Sequence, residues 1–174
     1  MNERELFKKE LSELPKEKVV FIDESGIEDN VRSLGGWSEI GIECFGERPY
    51  RHTRRISMIA GLCKNKIIAS AMFEGCCDSS VFKAYMEQIL LKHLNPGQTI
   101  VMDNISFHKT IHVQNMIKSA GCNVLYLPTY SPDLNPIEHF WFKIKQLIRS
   151  IAHSFDNFSD AVLHVLKYVD TFAP

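Results

Sequence analysis

The fold class that this sequence predicts is α/β: a central mixed five-stranded sheet flanked by helices. Five short apolar runs read as strands, near 18–22, 56–62, 66–73, 99–102 and 122–127. The first three can form an antiparallel meander. The last two alternate with segments whose apolar residues recur at helical spacing, so they should be parallel and covered on both faces. At 174 residues the chain is one domain with room for a core, and 45% hydrophobic with 24% charged residues is an ordinary globular composition.

Within residues 1–17, Leu6, Phe7, Leu11 and Leu14 recur at helical spacing among five glutamates and four basic residues. This predicts an amphipathic helical extension, ended by Pro15, before a domain over 18–174. There is no room in it for a helix-turn-helix unit. The first strand ends at Asp23. The stretch from Glu24 to Tyr50 is punctuated by glycines, with a brief strand expected near Ile40 to Phe45. Arg48, Arg51, Arg54 and Arg55 follow with no acid among them. That segment reads equally as a phosphate-contacting stretch, with Tyr50 and His52 available to stack, or as a solvated turn.

Lys64-Asn65 splits the next two strands into a hairpin. Ser79 or Ser80 can cap a helix running to His93, and Asn95-Pro96-Gly97 stops it. His108 to Ala120 reads as a helix closed by Gly121. His108 and His112 lie four apart there, but no third ligand accompanies them, and they read as non-ligands. After the fifth strand comes Leu-Pro-Thr-Tyr-Ser-Pro-Asp-Leu-Asn-Pro-Ile-Glu, residues 127–138. Asn135 is placed to N-cap a helix from Pro136 to about Ile151, with Ile137, Phe140, Trp141, Ile144, Leu147, Ile148 and Ile151 on its buried side. Lys143, Lys145 and Arg149 project from other faces. A last helix spans about Ser159 to Tyr168.

Three acids stand at comparable places: Asp23 and Asp103 where apolar strands end, and Glu138 in the first turn of a helix. By itself, Glu138 would read as a capping glutamate reaching back to the Asn135 backbone. A buried strand, however, does not ordinarily finish on an unpaired acid, because burying a lone charge is costly. Three such acids could share a divalent cation site, and hard carboxylate oxygens suit magnesium or manganese.

Asp23 in Phe-Ile-Asp-Glu-Ser-Gly, Asp103 in Met-Asp-Asn-Ile-Ser-Phe-His and Glu138 in Tyr-Ser-Pro-Asp-Leu-Asn-Pro-Ile-Glu resemble the three acidic motifs of the mariner-type DDE transposases, most closely their bacterial insertion-sequence relatives. Thirty-four residues separate Asp103 from Glu138, the spacing that group uses. The resemblance covers roughly residues 18–151, and its third motif is the specific one. It implies a ribonuclease H-like fold and metal-dependent DNA cleavage and strand transfer in cut-and-paste transposition. It also implies a two-metal site of Mg2+ or Mn2+ held by Asp23, Asp103 and Glu138, with Asp23 bridging. Asn104, Ser131 and Asn135 would then fix carboxylate or loop geometry, and His108 matches a histidine that follows the second motif and would orient a carboxylate or touch DNA. Arg48, Arg51, Arg54, Arg55 and Lys143 are the candidate DNA contacts.

Transposases of this kind carry N-terminal helices that read terminal repeats. Their absence here predicts either a second reading frame joined to an upstream DNA-binding frame or a remnant. The expected partners are double-stranded DNA, at element ends and target, with either self-association or that upstream unit. A catalytically idle fragment that binds DNA or a partner subunit is the competing class. The net charge of −1 means that charge placement, not bulk charge, must carry any DNA contact. Five cysteines without zinc-like spacing suggest reduced thiols and a cytoplasmic setting, and no apolar run is long enough to span a bilayer.

Overall fold

A computed structural model describes residues 2–29, 38–43 and 54–172. Helix α1 (Glu3–Glu13) starts with a reciprocal capping box, in which Asn2 accepts from the Arg4 N–H and Glu5 reaches back to the Asn2 N–H. It ends just before Leu14 and Pro15 turn the chain extended. Phe7 packs with Val19, Val101 and Leu127, while Leu6 stays 43% exposed.

Strand β1 (Val19–Glu28) does not stop at Asp23 but runs five residues beyond it. Hydrophobicity predicted its start; pairing determines its length. Strand β2 (Arg55–Cys63) supplies antiparallel ladder partners from Phe21↔Leu62 out to Glu28↔Arg55. Lys64 and Asn65, at φ 51° and 61°, turn β2 into β3 (Lys66–Glu74), the left-handed pair that a two-residue hairpin needs. The strand expected near Ile40 to Phe45 is not formed over residues 40–43, which make a turn; Cys44 and Phe45 lie outside the described residues.

Asp78, not Ser79 or Ser80, caps α2 (Ser79–Tyr85), accepting from the Ser80 and Val81 N–H groups. The helix widens into a π-helical turn over Met86–Leu90 and finishes as α3 (Leu91–His93). Strand β4 (Thr99–Met102) follows. A 3-10 turn at Ser106–Lys109 takes His108 out of the next helix, α4 (Ile111–Ser119), which Thr110 caps. Strand β5 is Asn123–Tyr126. Helix α5 (Ile137–Ile151) buries Ile137, Trp141, Ile144 and Ile148, whereas Leu147 is 38% exposed. Helix α6 (Phe158–Phe172) extends beyond Tyr168.

The sheet order is β3-β2-β1-β4-β5, antiparallel on the β3 side of β1 and parallel on the other. Side-chain alternation splits its core in two. Val20, Ile22, Ile59, Ile100 and Met102 meet the helices α2 and α4 through Phe82, Met86, Val113 and Ile117. On the other face, Ile27, Ile56, Met58 and Leu62 meet α5 and α6 through Trp141, Ile144, Val162 and Val165. No helix among the described residues is long and apolar enough to cross a membrane.

Candidate active site

Asp23 lies inside β1, and Asp103 is the residue after β4. The parallel register Val19↔Thr99 to Phe21↔Val101, carried two residues further, sets Asp23 beside Asp103. Glu138 enters from the first turn of α5. A helix starts there because the proline loop leads into it: Pro132–Leu134 form a 3-10 turn, and Pro136 already has a helical φ of −65°. All three acids line one cleft of about 380 Å³, together with Asn104, Ser131 and Asn135.

The expected cap is not made. Asn135 offers no side-chain hydrogen bond to α5; it is 4% exposed, and its Oδ1 is buried without a partner. The capping glutamate fails too, because the Asn135 N–H donates to the Pro132 carbonyl at 2.9 Å. Glu138 is thereby left to the cleft. Ser131, 4% exposed, accepts from Arg4 at 2.9 Å, and Arg4 also pairs with Asp133, so α1 is pinned to the loop that walls the cleft.

The electrostatics are those of crowded acids. Asp23 Oδ2 is buried with no hydrogen-bond partner. Burial, then the charges of Glu138, Glu24 and Asp103, push the Asp23 carboxyl up to about 8. His108 is 1% exposed, with Nδ1 2.5 Å from Asp103 Oδ1 and Nε2 3.1 Å from Glu24 Oε1. The Asp103 contact is a close ion pair, and Nδ1 also lies 3.4 Å from the Asp103 carbonyl oxygen. Burial opposes charge on His108, yet Asp103 and Glu24 outweigh it and hold its pKa at about 9.

A hard divalent cation fits these donors: they are carboxylate oxygens, the Asp23 oxygen is an orphan, and the acids around Asp23 still hold its carboxyl well above the usual range despite His108 beside Asp103 and Lys145 nearby. Among the described residues no group of three or more His, Cys, Asp or Glu side chains, these acids included, is gathered closely enough to make a metal cage as it stands. Such a cage is not required, since magnesium sites commonly use one or two carboxylates plus substrate phosphate oxygens.

The predicted DNA contacts fare differently from one another. Arg48 and Arg51, with Tyr50 and His52, lie outside the described residues. The Arg54 backbone bonds Asp29, and the Arg55 guanidinium lies across Gly26, where an added Cβ would come within 2.5 Å of it. Lys143 sits 5.7 Å from the Phe140 ring, about 140° around the helix from Glu138. Lys145 and Arg149 share the Glu138 face. Burial and the neighbouring Arg149 lower the Lys145 pKa, against the opposing pull of Glu138 and Asp23. His112 is exposed on α4 and shares no site with His108. Glu24 is the participant that sequence reasoning missed. Its only signal was adjacency to Asp23, and period-2 alternation sends it to the other side of the sheet.

The mixed sheet with helices on both faces is a ribonuclease H-like architecture. The sequence model described as "DDE superfamily endonuclease" matches residues 18–161, and the chain belongs to that family. It is 31% identical over 75 residues to the Transposable element Tc1 transposase of Caenorhabditis elegans, covering 43% of this chain and 28% of that protein. It is 32% identical over 84 residues to the Tcb1 transposase of Caenorhabditis briggsae, covering 46% and 31%. Among solved structures, the Mos1 strand transfer complex is similar at a TM-score of 0.70 and 17% identity, over 96% of this chain and 51% of that one. The Mos1 mariner paired end complex with Mn is similar at 0.69 and 16% identity, over 99% and 56%. The chain thus spans about half the length of those transposase chains.

Proposed function

We propose that this chain is the catalytic domain of a mariner-type DDE transposase, which cleaves DNA at element ends and joins the 3′-hydroxyls to target DNA. One observation carries the reading: Asp23, Asp103 and Glu138, far apart in sequence, line a single cleft in which a buried Asp23 oxygen has no protein partner. Asp23, Asp103 and Glu138 would hold Mg2+ or Mn2+ as a two-metal site. Such ions supply charge neutralisation at the scissile phosphate and a lowered pKa for the attacking water or 3′-hydroxyl. Ser131, anchored by Arg4, and buried Asn135 keep the proline loop in place behind Glu138. Asn104 lines the cleft beside Asp103, and His108 holds the Asp103 carboxylate. Arg55, Lys145 and Arg149, with Arg48, Arg51, Arg54 and Lys143, are the cations available to phosphates.

The partners follow from the same reading: duplex DNA, a second copy of the chain, or a separate unit that recognises terminal repeats. The names of the similar proteins support it, since they are transposases, and the similar solved complexes are paired-end and strand-transfer assemblies. The test is nicking of terminal-repeat DNA with Mg2+ or Mn2+, comparing the unmutated protein with Asp23→Asn, Asp103→Asn and Glu138→Gln. Metal-dependent nicking that disappears in all three is expected. Nicking that survives any of them removes that acid from the site.

A further inference from the structure

Alternation along β1 turns Glu24 away from Asp23, toward the face covered by α2 and α4. There its Oε1 lies 3.1 Å from Nε2 of His108, and the two side chains are 16% and 1% exposed. The other ring nitrogen, Nδ1, faces Asp103, 2.5 Å from Oδ1 and 3.4 Å from the carbonyl oxygen. The Phe82 and Phe107 rings pack on the imidazole, with centroids 4.0 and 4.7 Å away. The Tyr126 hydroxyl donates to the His108 carbonyl at 3.2 Å. The ring is thus held at both nitrogens and walled by aromatic carbon.

We propose that Glu24 is a positioning residue: by holding Nε2 of His108 it presents Nδ1 to Asp103, and so fixes the Asp103 carboxylate in the orientation that receives a divalent cation. The inference rests on the reading of Asp23, Asp103 and Glu138 as metal ligands. Two features of the site support it. The aromatic walls confine the ring plane, and the carboxylate at Nε2 settles which nitrogen is turned to Asp103 and holds it as a donor there. In addition, Asp103 Oδ1 is buried although the side chain as a whole is 41% exposed, so the oxygen turned toward His108 is the one removed from the cleft. Strand β1 therefore contributes twice, with Asp23 on one face and the anchor for Asp103 on the other.

The experiment is Mn2+ binding to the whole chain by titration calorimetry without DNA, with metal-free thermal melts recorded beside it. Glu24→Ala should weaken Mn2+ affinity by about 10–100-fold, as removing a partner behind a metal ligand does. Glu24→Met, which keeps the bulk, should do the same and serves if the alanine variant does not fold. Glu24→Gln retains an acceptor oxygen and should stay within about threefold. In a His108→Gln background Glu24→Ala should add nothing, because its path to the metal is already cut. Unchanged affinity in both Glu24→Ala and Glu24→Met would overturn the proposal, even if the melts show reduced stability. An undiminished Glu24→Ala effect in the His108→Gln background would also overturn it, since the carboxylate would then act by charge alone. An unmutated protein that binds no Mn2+, or an Asp103→Asn variant that binds it normally, would bring down the metal-ligand reading itself. Abolished binding in Asp103→Asn with unmoved Glu24 variants would bring down only the role of Glu24.

Discussion

Asp23 and Glu24 are consecutive acids on one strand, and the fold treats them in opposite ways. Glu24 meets an imidazole and is tied down. Asp23 meets other carboxylates, keeps an unpartnered oxygen, and holds its proton to about pH 8. The contrast teaches how to recognise a ligand-seeking acid. A buried carboxylate paired with a cation is structurally complete, whereas one whose surroundings are dominated by acids carries an electrostatic cost that a proton or a bound cation relieves.

The largest test is to erase the unsatisfied acid. Asp23→Asn should abolish metal-dependent DNA cleavage. It should also abolish the stabilisation that metal gives the folded state, which is about 2.7 kcal/mol at a metal concentration one hundred times the dissociation constant. Melts with and without manganese check this, and a full manganese response in Asp23→Asn would end the contrast.

The Glu24 side offers a chemical readout of its charge. Burial and then Glu24, whose Oε1 is 3.8 Å from Sγ, push the Cys77 thiol up to about 12. Cys77 should therefore alkylate at pH 8 on the order of a hundredfold more slowly than its exposed neighbour Cys76, and Glu24→Gln should narrow the gap. Mass-spectrometric mapping of the two adjacent thiols measures it; equal rates would mean that the Glu24 charge does not reach Cys77.

Acidity sharpens the comparison further. Asp23 has a folded pKa of about 8 against an unfolded value near 4, so between those values the native state holds the extra proton. The metal-free protein should then lose stability as pH rises from about 4 to about 8. His108, raised to about 9, contributes stability that is complete below about 6.5 and is lost as pH rises through 9, which is the same direction. Denaturant melts in chelator across this range should show the fall, and Asp23→Asn should flatten its acidic part. The manganese increment should instead grow from pH 6 to 8, because metal competes with the Asp23 proton. A metal-free protein that gains stability over this range would contradict the crowded-acid account.

The smallest effect concerns the cations around the acids. Replacing Arg55, Lys145 and Arg149 with alanine should lower the salt slope of DNA binding by about 0.9 for each phosphate that is no longer neutralised. Lys143→Ala, on another face of α5, should change it less. A larger change from Lys143 would reverse the assignment of faces.

Much of this was legible beforehand. The strand order in the chain, the Lys64-Asn65 hairpin and the helix after the proline loop follow from local patterns, since apolar period, turn residues and proline act over a few positions. What failed locally failed for reasons of partnership. Strand β1 outran its hydrophobic run because β2 pairs it to Glu28, and Ser79 lost its capping role to Asp78 one residue earlier. His108 left the predicted helix for a 3-10 turn that puts its ring between two carboxylates.

The sequence by itself determined that three acids end up at strand and helix positions of an α/β domain, because residue type and periodicity are local properties. Only the tertiary structure decided that β1 lies next to β4, that Asn135 buries an amide instead of capping a helix, and that Glu24 finds His108 eighty-four residues away. Those outcomes depend on which strands pair and which faces are covered. Such pairings bring together residues too far apart in the chain for any local pattern to report.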